Sequence, residues 1–250
     1  MLTFLLLDFE ATEKDPKLAR PIEIATHHIR EDLSEVSPLQ SDVIYGLDYP
    51  TVSKEIEELT GISNDEVVSS GKAFVVAAYD RIRDANPDFI VAHNKGYDRT
   101  VFDMECDRNS LPRLEIPWIC TLRDHQWPER QNCKKLSHLT LDHGVTVDPK
   151  TLHRAAGDVR ILLQLIQAAK LDLKYLASRA MIPEITIRAL VPKPWDDGGK
   201  GKDKAKACGF GWETAPGTDG PKFAQSWVKR IKEDKLIEEK ERLGYGIKQL

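Results

Sequence analysis

Residues 2–10 read LTFLLLDFE, an apolar run that ends in two acids. The apolar part is too short to cross a membrane or to act as a secretory signal, and no small-residue cleavage site follows it. It therefore predicts a buried β-strand. Because residues two apart on a strand point to the same face, we expect Asp8 and Glu10 to project side by side from its end.

The first 180 residues alternate strand-like and helix-like segments, which favours an α/β sheet covered by helices. The predicted strands are Leu2–Phe9, Pro21–Ile29, Val43–Leu47, Phe89–Ala92 and Trp118–Leu122, the first three forming a meander. A capping box formed by Ser63 and Glu66 predicts a helix start. The other predicted helices are Ala73–Ala85, Asp98–Arg108, Leu136–His143 and Arg154–Lys170.

The composition changes after Leu190, which predicts a domain boundary. We expect one domain over residues 1–190 and a linker or loop rich in Gly, Pro and Lys over 191–221. Apolar residues return at helical spacing in Phe223–Leu243, so residues 222–250 are predicted to be a C-terminal helical extension.

The overall composition, with 41% hydrophobic and 30% charged residues, is that of an ordinary soluble protein and excludes collagen, coiled coil and disorder throughout. The net charge is -4, yet residues 193–250 contain 13 Lys and Arg against 10 Asp and Glu, so the C-terminal part is basic. Four cysteines without an export signal fit a reducing compartment, and we expect a cytoplasmic protein.

The acids at the end of the first strand are the first sign of chemistry. Two neighbouring carboxylates repel each other, and divalent cations such as Mg²⁺ prefer oxygen ligands of this kind. Bound cations would also let an acidic protein accept a polyanionic substrate. Taken alone, the pair Asp8 and Glu10 is a weak signal, and solvated acids at a strand end explain it as well.

Two further motifs place acids at the starts of helices. Residues 90–98 read IVAHNKGYD, a short strand running into a turn, with Asp98 available either to cap a helix or to bind metal. Residues 153–158 read HRAAGD. In a regular helix His153 and Asp158 would lie about 140° apart and could not share a face, so His153 must precede the helix. From there it could act as a general base, or it is a surface or capping group.

The three motifs together resemble those of the DEDDh exonucleases, which are ribonuclease H-like 3′ to 5′ exonucleases that include proofreading subunits. The resemblance covers about residues 1–175. It extends to IEIA at 22–25, LTGI at 59–62, Leu136-x-x-Leu139 and the HGV sequence at 143–145. It implies an α/β, ribonuclease H-like mixed sheet flanked by helices, with a C-terminal extension.

The resemblance also implies an activity and its residues. The expected reaction is two-metal hydrolysis of DNA from single-stranded or frayed 3′ ends, releasing nucleoside 5′-monophosphates. Asp8, Glu10 and Asp158 would hold one divalent ion, and Asp8 and Asp98 the second, with Mg²⁺ expected and Mn²⁺ able to replace it. His153 would accept the proton of the attacking water, because histidine side chains in general change charge near neutral pH.

Substrate contacts are expected from the residues that match the family's motifs, namely Phe9, Ala11, Thr12, Gly61, Ile62 and Asn94. His93 and Asn94 are interpreted as orienting Asp98, or as making simple turn hydrogen bonds. Glu13 departs from the pattern because the family usually has glycine there, so the pocket for the terminal nucleotide can differ in shape.

Several alternatives remain open. The chain could trim RNA 3′ ends, or be a non-catalytic nucleic-acid-binding or polymerase-docking module. Lys200, Lys202, Lys204 and Lys206, followed by Phe210 and Trp212, either extend nucleic-acid binding or form a solvated linker. Phe223, Trp227 and Ile231 could dock a polymerase or another replication or repair protein. A zinc site at Cys120, His125, Cys133 and His138 is disfavoured because it lacks a close Cys pair.

No membrane association is expected. We expect the protein in the cytoplasm of a bacterial cell, or of a bacterial cell infected by a virus.

Overall fold

The computed structural model describes residues 1–46, 48–128, 133–148, 151–214 and 225–250. The chain forms two compact units, Met1–Ala180 and Met181–Leu250.

The first unit is built on a five-stranded mixed sheet. Its strands are β1 (Thr3–Ala11), β2 (Pro21–Arg30), β3 (Glu35–Val43), β4 (Phe89–Ala92) and β5 (Trp118–Cys120). The spatial order is β3-β2-β1-β4-β5. The meander β1-β2-β3 is antiparallel, whereas β1, β4 and β5 run parallel. The sheet therefore confirms the predicted α/β class and the predicted meander.

Helices cover the sheet. They are α1 (Lys54–Thr60), α2 (Asn64–Ser70), α3 (Asp80–Ala85), α4 (Lys95–Arg108), α5 (Leu136–Asp142), α6 (Ala155–Ala168) and α7 (Leu173–Ala180), and a π-helical turn, Val75–Tyr79, leads into α3. Alternate residues of β1 enter two separate cores: Phe4 and Leu6 pack with residues of α6, and Leu5 and Leu7 with residues of α3 and α4. None of the helices in the described parts of the chain is long and apolar enough to span a membrane.

The pairing of β1 with its two neighbours is unequal. On one side, the antiparallel register with β2 continues to Ala11. On the other, the parallel register with β4 ends where Leu6 meets Val91. The last residues of β1 therefore have a free edge on the β4 side, and this edge is where the acids of the DFE sequence lie.

The third strand differs from the prediction. It is Glu35–Val43 and ends where the predicted strand Val43–Leu47 began; Leu47 lies outside the described residues. Most of its residues are exposed or half-buried, and it contains Pro38, which sheets tolerate at their edges. Backbone pairing with β2, rather than a pattern of apolar residues, holds this edge strand in the sheet. Helices α1 and α7 were also not predicted.

The second unit has its own sheet, with the order β7-β8-β6-β9 and antiparallel neighbours. Its elements are β6 (Glu184–Leu190), α8 (Pro194–Asp197), α9 (Lys200–Ala207), β7 (Gly211–Thr214), β8 (Gln225–Lys232), a 3₁₀ turn (Glu233–Lys235), α10 (Leu236–Leu243) and β9 (Gly246–Gln249). A small core containing Ile187, Ala205, Phe210 and Leu243 holds these elements together.

This unit differs from the predicted linker and helical extension. The described part of 191–221 contains α8, α9 and β7, and Gln225–Lys232 is a strand instead of a helix; Phe223 lies outside the described residues. Only Leu236–Leu243 forms the predicted C-terminal helix. Apolar residues three or four apart, such as Trp227 and Ile231, fit a helix, but hydrogen bonding of β8 to strands on both sides decides the outcome.

Candidate active site

Three of the predicted metal ligands meet in space. Asp8 and Glu10 lie at the end of β1, and Asp158 lies in the first turn of α6. Each offers a carboxylate oxygen, and these oxygens lie within 4.8 Å of one another. Among the described residues, no other group of three or more His, Cys, Asp or Glu side chains gathers in this way, so the alternative zinc series at Cys120, His125, Cys133 and His138 is not supported.

Asp98 reaches the same place from α4. It is buried in the first turn of that helix, and its carboxylate Oδ1 accepts a hydrogen bond of 3.1 Å from the backbone N–H of Phe9, between the two acids of β1. Asn94, not Asp98, is the N-cap residue. The capping alternative is therefore wrong for Asp98, whose carboxylate is directed to the end of β1.

The electrostatics of the four acids are unusual. Burial, and then the charges of Asp98, Asp158 and Glu10, raise the pKa of Asp8 well above its ordinary value. Burial, followed by Asp158, raises the pKa of Glu10 to about 8. Burial raises the pKa of Asp98 to about 7 and of Asp158 to about 6, against hydrogen bonds from backbone N–H groups. The group thus favours bound protons or bound cations.

This donor set fits divalent metal ions. Hard divalent cations take oxygen ligands, and the converging carboxylates supply them at a place where burial makes uncompensated negative charge unfavourable.

His153 occupies the position that the helix geometry predicted. It is exposed and lies one residue before the N-cap of α6, Arg154, with its backbone in the left-handed region at φ 59°. Its backbone N–H donates to the Asp158 carboxylate and lowers the pKa of that acid. A backbone hydrogen bond thus connects His153, the candidate general base, with Asp158, a candidate metal ligand.

Gly157 explains why small residues follow His153. A Cβ atom at this position would lie 1.8 Å from the backbone carbonyl oxygen of Thr151. Only glycine therefore lets the segment before α6 fold back onto the first turn of the helix.

The predicted substrate contacts near β1 are mostly turned away from the acids. Phe9 is buried in the core on the opposite face of the sheet, and Ala11 is buried against Ala19 and Val101. Thr12 is also buried, and its Oγ1 accepts a hydrogen bond from the Arg20 backbone N–H. What Phe9 offers to the site is its backbone N–H.

The remaining predicted contacts have structural roles in their own elements. Gly61 ends α1 in the left-handed conformation at φ 71°, and Ile62 is fully buried in a core with Ile22 and Val67. Asn94 is exposed at the start of α4. Their part in binding substrate stays a prediction.

The interpretation that His93 orients Asp98 is wrong. Its Nδ1 lies 2.9 Å from Thr121 Oγ1, and its Nε2 lies 2.8 Å from the Lys134 carbonyl oxygen. Both contacts are long-range, so they are not the turn hydrogen bonds of the alternative interpretation either. The backbone N–H of Phe9 supplies the bond that fixes Asp98.

Glu13, which departs from the family pattern, has an exposed side chain. Its backbone carbonyl accepts a hydrogen bond of 2.5 Å from the Tyr97 hydroxyl. The turn after β1 is thereby tied to α4, close to Asp98.

Sequence reasoning missed the role of Glu23. This residue of β2 pairs with Glu10 across the strands and is buried. Its carboxylate accepts hydrogen bonds from the Arg154 guanidinium and from the Ala155 backbone N–H. The signal was available as one acid inside the apolar sequence PIEIA.

Comparison with protein families gives an independent result. The family model RNase_T, described as Exonuclease, matches residues 5–166. The chain belongs to this exonuclease family. The match covers the whole acidic site of the exonuclease, from β1 to α6. A search of curated proteins gave no match.

Solved structures agree with the exonuclease fold. The nuclease domain of 3′hExo, a DEDDh family member bound to rAMP, is 18% identical with a TM-score of 0.53, and the alignment covers 66% of this chain and 92% of that one. A complex of E. coli exonuclease I with single-stranded DNA is 16% identical with a TM-score of 0.62, covering 98% of this chain and 68% of the other.

Exonuclease X, solved with 5′-overhanging duplex DNA, is 19% identical with a TM-score of 0.50 and covers 71% of this chain and 99% of its own. The family match confirms the exonuclease assignment, and the solved structures confirm the ribonuclease H-like fold and the DEDDh resemblance.

Proposed function

We propose that this exonuclease hydrolyses DNA from single-stranded or frayed 3′ ends and releases nucleoside 5′-monophosphates with two divalent metal ions, Mg²⁺ in the cell. The observation that carries this proposal is the convergence of Asp8, Glu10 and Asp158 within 4.8 Å, with Asp98 hydrogen-bonded between the two acids of β1.

Each acid has a proposed role. Asp8, Glu10 and Asp158 would hold one ion, and Asp8 with Asp98 would hold the second. When bound, such ions would supply positive charge to the attacking and leaving oxygens of the phosphodiester. The raised pKa of each acid supports this role, because cations relieve the same repulsion and burial that protons would relieve.

His153 is the proposed general base. It is exposed and precedes the helix that carries Asp158, and histidine is the side chain most often used as a general base. Its backbone bond to Asp158 supports a fixed position relative to the acids.

DNA is favoured over RNA by the extent of the structural similarity. Exonuclease I, solved with single-stranded DNA, aligns with 98% of this chain, whereas 3′hExo, solved with rAMP, aligns with 66%. RNA trimming is the second candidate, since discrimination depends on how the pocket treats a 2′-hydroxyl.

A panel of labelled substrates tests the proposal. Single-stranded DNA, duplex DNA and RNA of matched sequence, each labelled at the 5′ end, are incubated with Mg²⁺ or with a chelator. We expect stepwise shortening from the 3′ end, fastest on single-stranded DNA and absent with the chelator. Faster shortening of RNA would select the second candidate, and chelator-resistant cleavage would contradict the metal mechanism.

We further propose that the second unit extends the contact with nucleic acid. Lys200, Lys202, Lys204 and Lys206 are exposed on α9, and Trp212 is exposed on β7 with its ring 5.3 Å from that of Trp227. Phe210 is buried and cannot stack on a base. Ile231 is buried too, so it does not offer a docking surface for a polymerase. A polymerase partner stays a prediction.

Replacing the four lysines by glutamine should raise KM for single-stranded DNA and leave kcat unchanged, because the acids are untouched. The slope of log KM against log salt should fall by up to about 3, at roughly 0.7 per lost phosphate contact. Replacing Lys54 and Lys72 of the first unit is the control. An unchanged salt slope would show that α9 is only solvated surface.

A further inference from the structure

Glu23 lies directly opposite Glu10 in the register of β1 and β2. Its side chain is 3% exposed. The carboxylate accepts hydrogen bonds from Arg154 Nη2 at 2.9 Å, the Ala155 backbone N–H at 2.9 Å and Ser41 Oγ at 3.0 Å. Both of its oxygens are therefore occupied by donors of the protein, unlike those of its neighbour Glu10.

Arg154 makes a second ion pair, at 3.3 Å, with Glu66 of α2. The guanidinium thus connects β2, α2 and the start of α6. Arg154 is also the residue that directly follows His153, so the position of its backbone fixes the position of the histidine.

His153 needs such support. Its backbone adopts the left-handed conformation at φ 59°, which is uncommon for a residue with a Cβ and persists only where surrounding contacts impose it. Before it, the Thr151 carbonyl packs against Gly157, and after it, Arg154 and the Ala155 N–H are held by Glu23.

We propose that Glu23 and Arg154 are positioning residues that hold His153 over the carboxylate group for proton transfer. The proposal rests on the general-base role of His153 given above. It assigns no contact with substrate or metal to either residue, and this separates it from a role in phosphate binding.

The variant R154M removes the guanidinium, and E23Q keeps the volume of the acid while removing its charge. We expect each to lower kcat by about 10- to 100-fold, because a small misplacement of a catalytic group has an effect of this size. KM should change by less than about threefold, since no substrate contact is lost. Arg160 of α6 lines a cleft together with Glu23 and Arg154, and it gives the control R160M, which is expected to act like the wild type.

The decisive test repeats R154M and E23Q in the H153A background. If the two residues act through the histidine, each should change the residual kcat of H153A by less than about threefold, because the effects of residues that act as a unit do not add. R154K, which keeps the charge but not the planar fork, should recover part of the lost kcat.

Two measurements without catalysis accompany the kinetics. Hydrogen exchange of the Ala155 amide should accelerate in E23Q, where its acceptor loses its charge, and in R154M, where its acceptor loses the guanidinium that holds it in place. It should stay unchanged in R160M. Mn²⁺ should still bind to all three variants, because the ligand carboxylates are intact. Since Glu23 and Arg154 act on Glu10 with opposite charges, E23Q should weaken the affinity and R154M should not.

The outcomes separate two failures. If H153A keeps the kcat of the wild type, the general-base role is overturned. If H153A is slow but R154M and E23Q are as fast as the wild type, or if they slow H153A as much as they slow the wild type, only the positioning role is overturned. A rise in KM alone, or loss of Mn²⁺ binding, also overturns it.

Discussion

Acids removed from solvent in the first unit are treated in two opposite ways. Glu105 of α4 is fully buried, and its carboxylate accepts hydrogen bonds from Arg20, Arg108, Asn109 and the Tyr49 hydroxyl. The four acids that meet at the end of β1 have no such set of donors. Backbone N–H groups donate to Asp98 and Asp158, the acids repel one another, and their pKa values rise.

The difference identifies what the second group is for. A buried charge without a partner costs several kcal/mol, and the fold shows at Glu105 that it can supply cations where it needs them. Where four acids converge with so little compensation, bound protons or bound cations supply the missing positive charge.

The largest expected effect is the loss of activity when one of the four acids at the end of β1 is replaced. D8N or D158N should lower exonuclease activity by about 10³-fold or more, because an amide replaces a ligand carboxylate while the shape is kept. D142N, at an exposed acid of α5, is the control and should be fully active. Release of labelled mononucleotides measures the effect, with circular dichroism as the check on folding; normal rates in both variants would contradict the site.

Substitutions around Glu105, whose charge is compensated, should lower the stability of the protein. R20M leaves Glu105 buried without its bidentate partner and should lower the free energy of unfolding by about 3 to 5 kcal/mol. Urea denaturation measures this. R99M, which breaks an exposed pair with Asp103, should cost less than about 1 kcal/mol. Equal effects of the two substitutions would remove the distinction drawn above.

The smallest expected effect concerns the metal-free protein and pH. The pKa of Glu10 is raised to about 8 and that of Asp8 is raised in the same direction, so folding favours their protonated forms. The resulting stability is present below the pKa of the unfolded chain and is lost as pH rises through the folded pKa. The metal-free protein should therefore lose stability as pH rises towards 8.

D8N should make the metal-free protein more stable at pH 8, by on the order of 1 kcal/mol, and flatten this pH dependence. Thermal unfolding in chelator between pH 5 and 9 measures both effects. Saturating Mn²⁺ should raise the stability of the wild type at pH 8 but not that of D8N. A wild-type stability that rises over this range would refute the assigned repulsion.

Much of the first unit could be predicted because its patterns are local. The apolar run before Asp8 fixed β1, and the apolar face of residues 154–170 indicated α6. Strand β3 could not be found in the same way, since its sequence carries no apolar alternation and its place depends on hydrogen bonds to β2. The helix predicted where β8 lies was wrong for a related reason, because pairing with neighbouring strands outweighed the helical spacing of the apolar residues.

In the candidate site, too, the local features could be predicted and the long-range contacts could not. The order of the motifs predicted which acids converge, and helix geometry placed His153 before α6. The contacts that depend on three-dimensional neighbours were not predictable: the side chain of Phe9 faces the opposite core, His93 bonds to Thr121, and Glu23 meets Arg154 across a long stretch of chain.

The unequal lengths of β1 and β4 have a final consequence. Hydrogen bonding between them stops at Leu6, so the amide of Phe9 is left to hold Asp98. If the pairing of β1 with β4 continued as far as Phe9, that amide would donate to a backbone carbonyl of the neighbouring strand. It could then not hold the Asp98 carboxylate at the end of β1. The candidate site therefore lies where β1 extends beyond its pairing with β4.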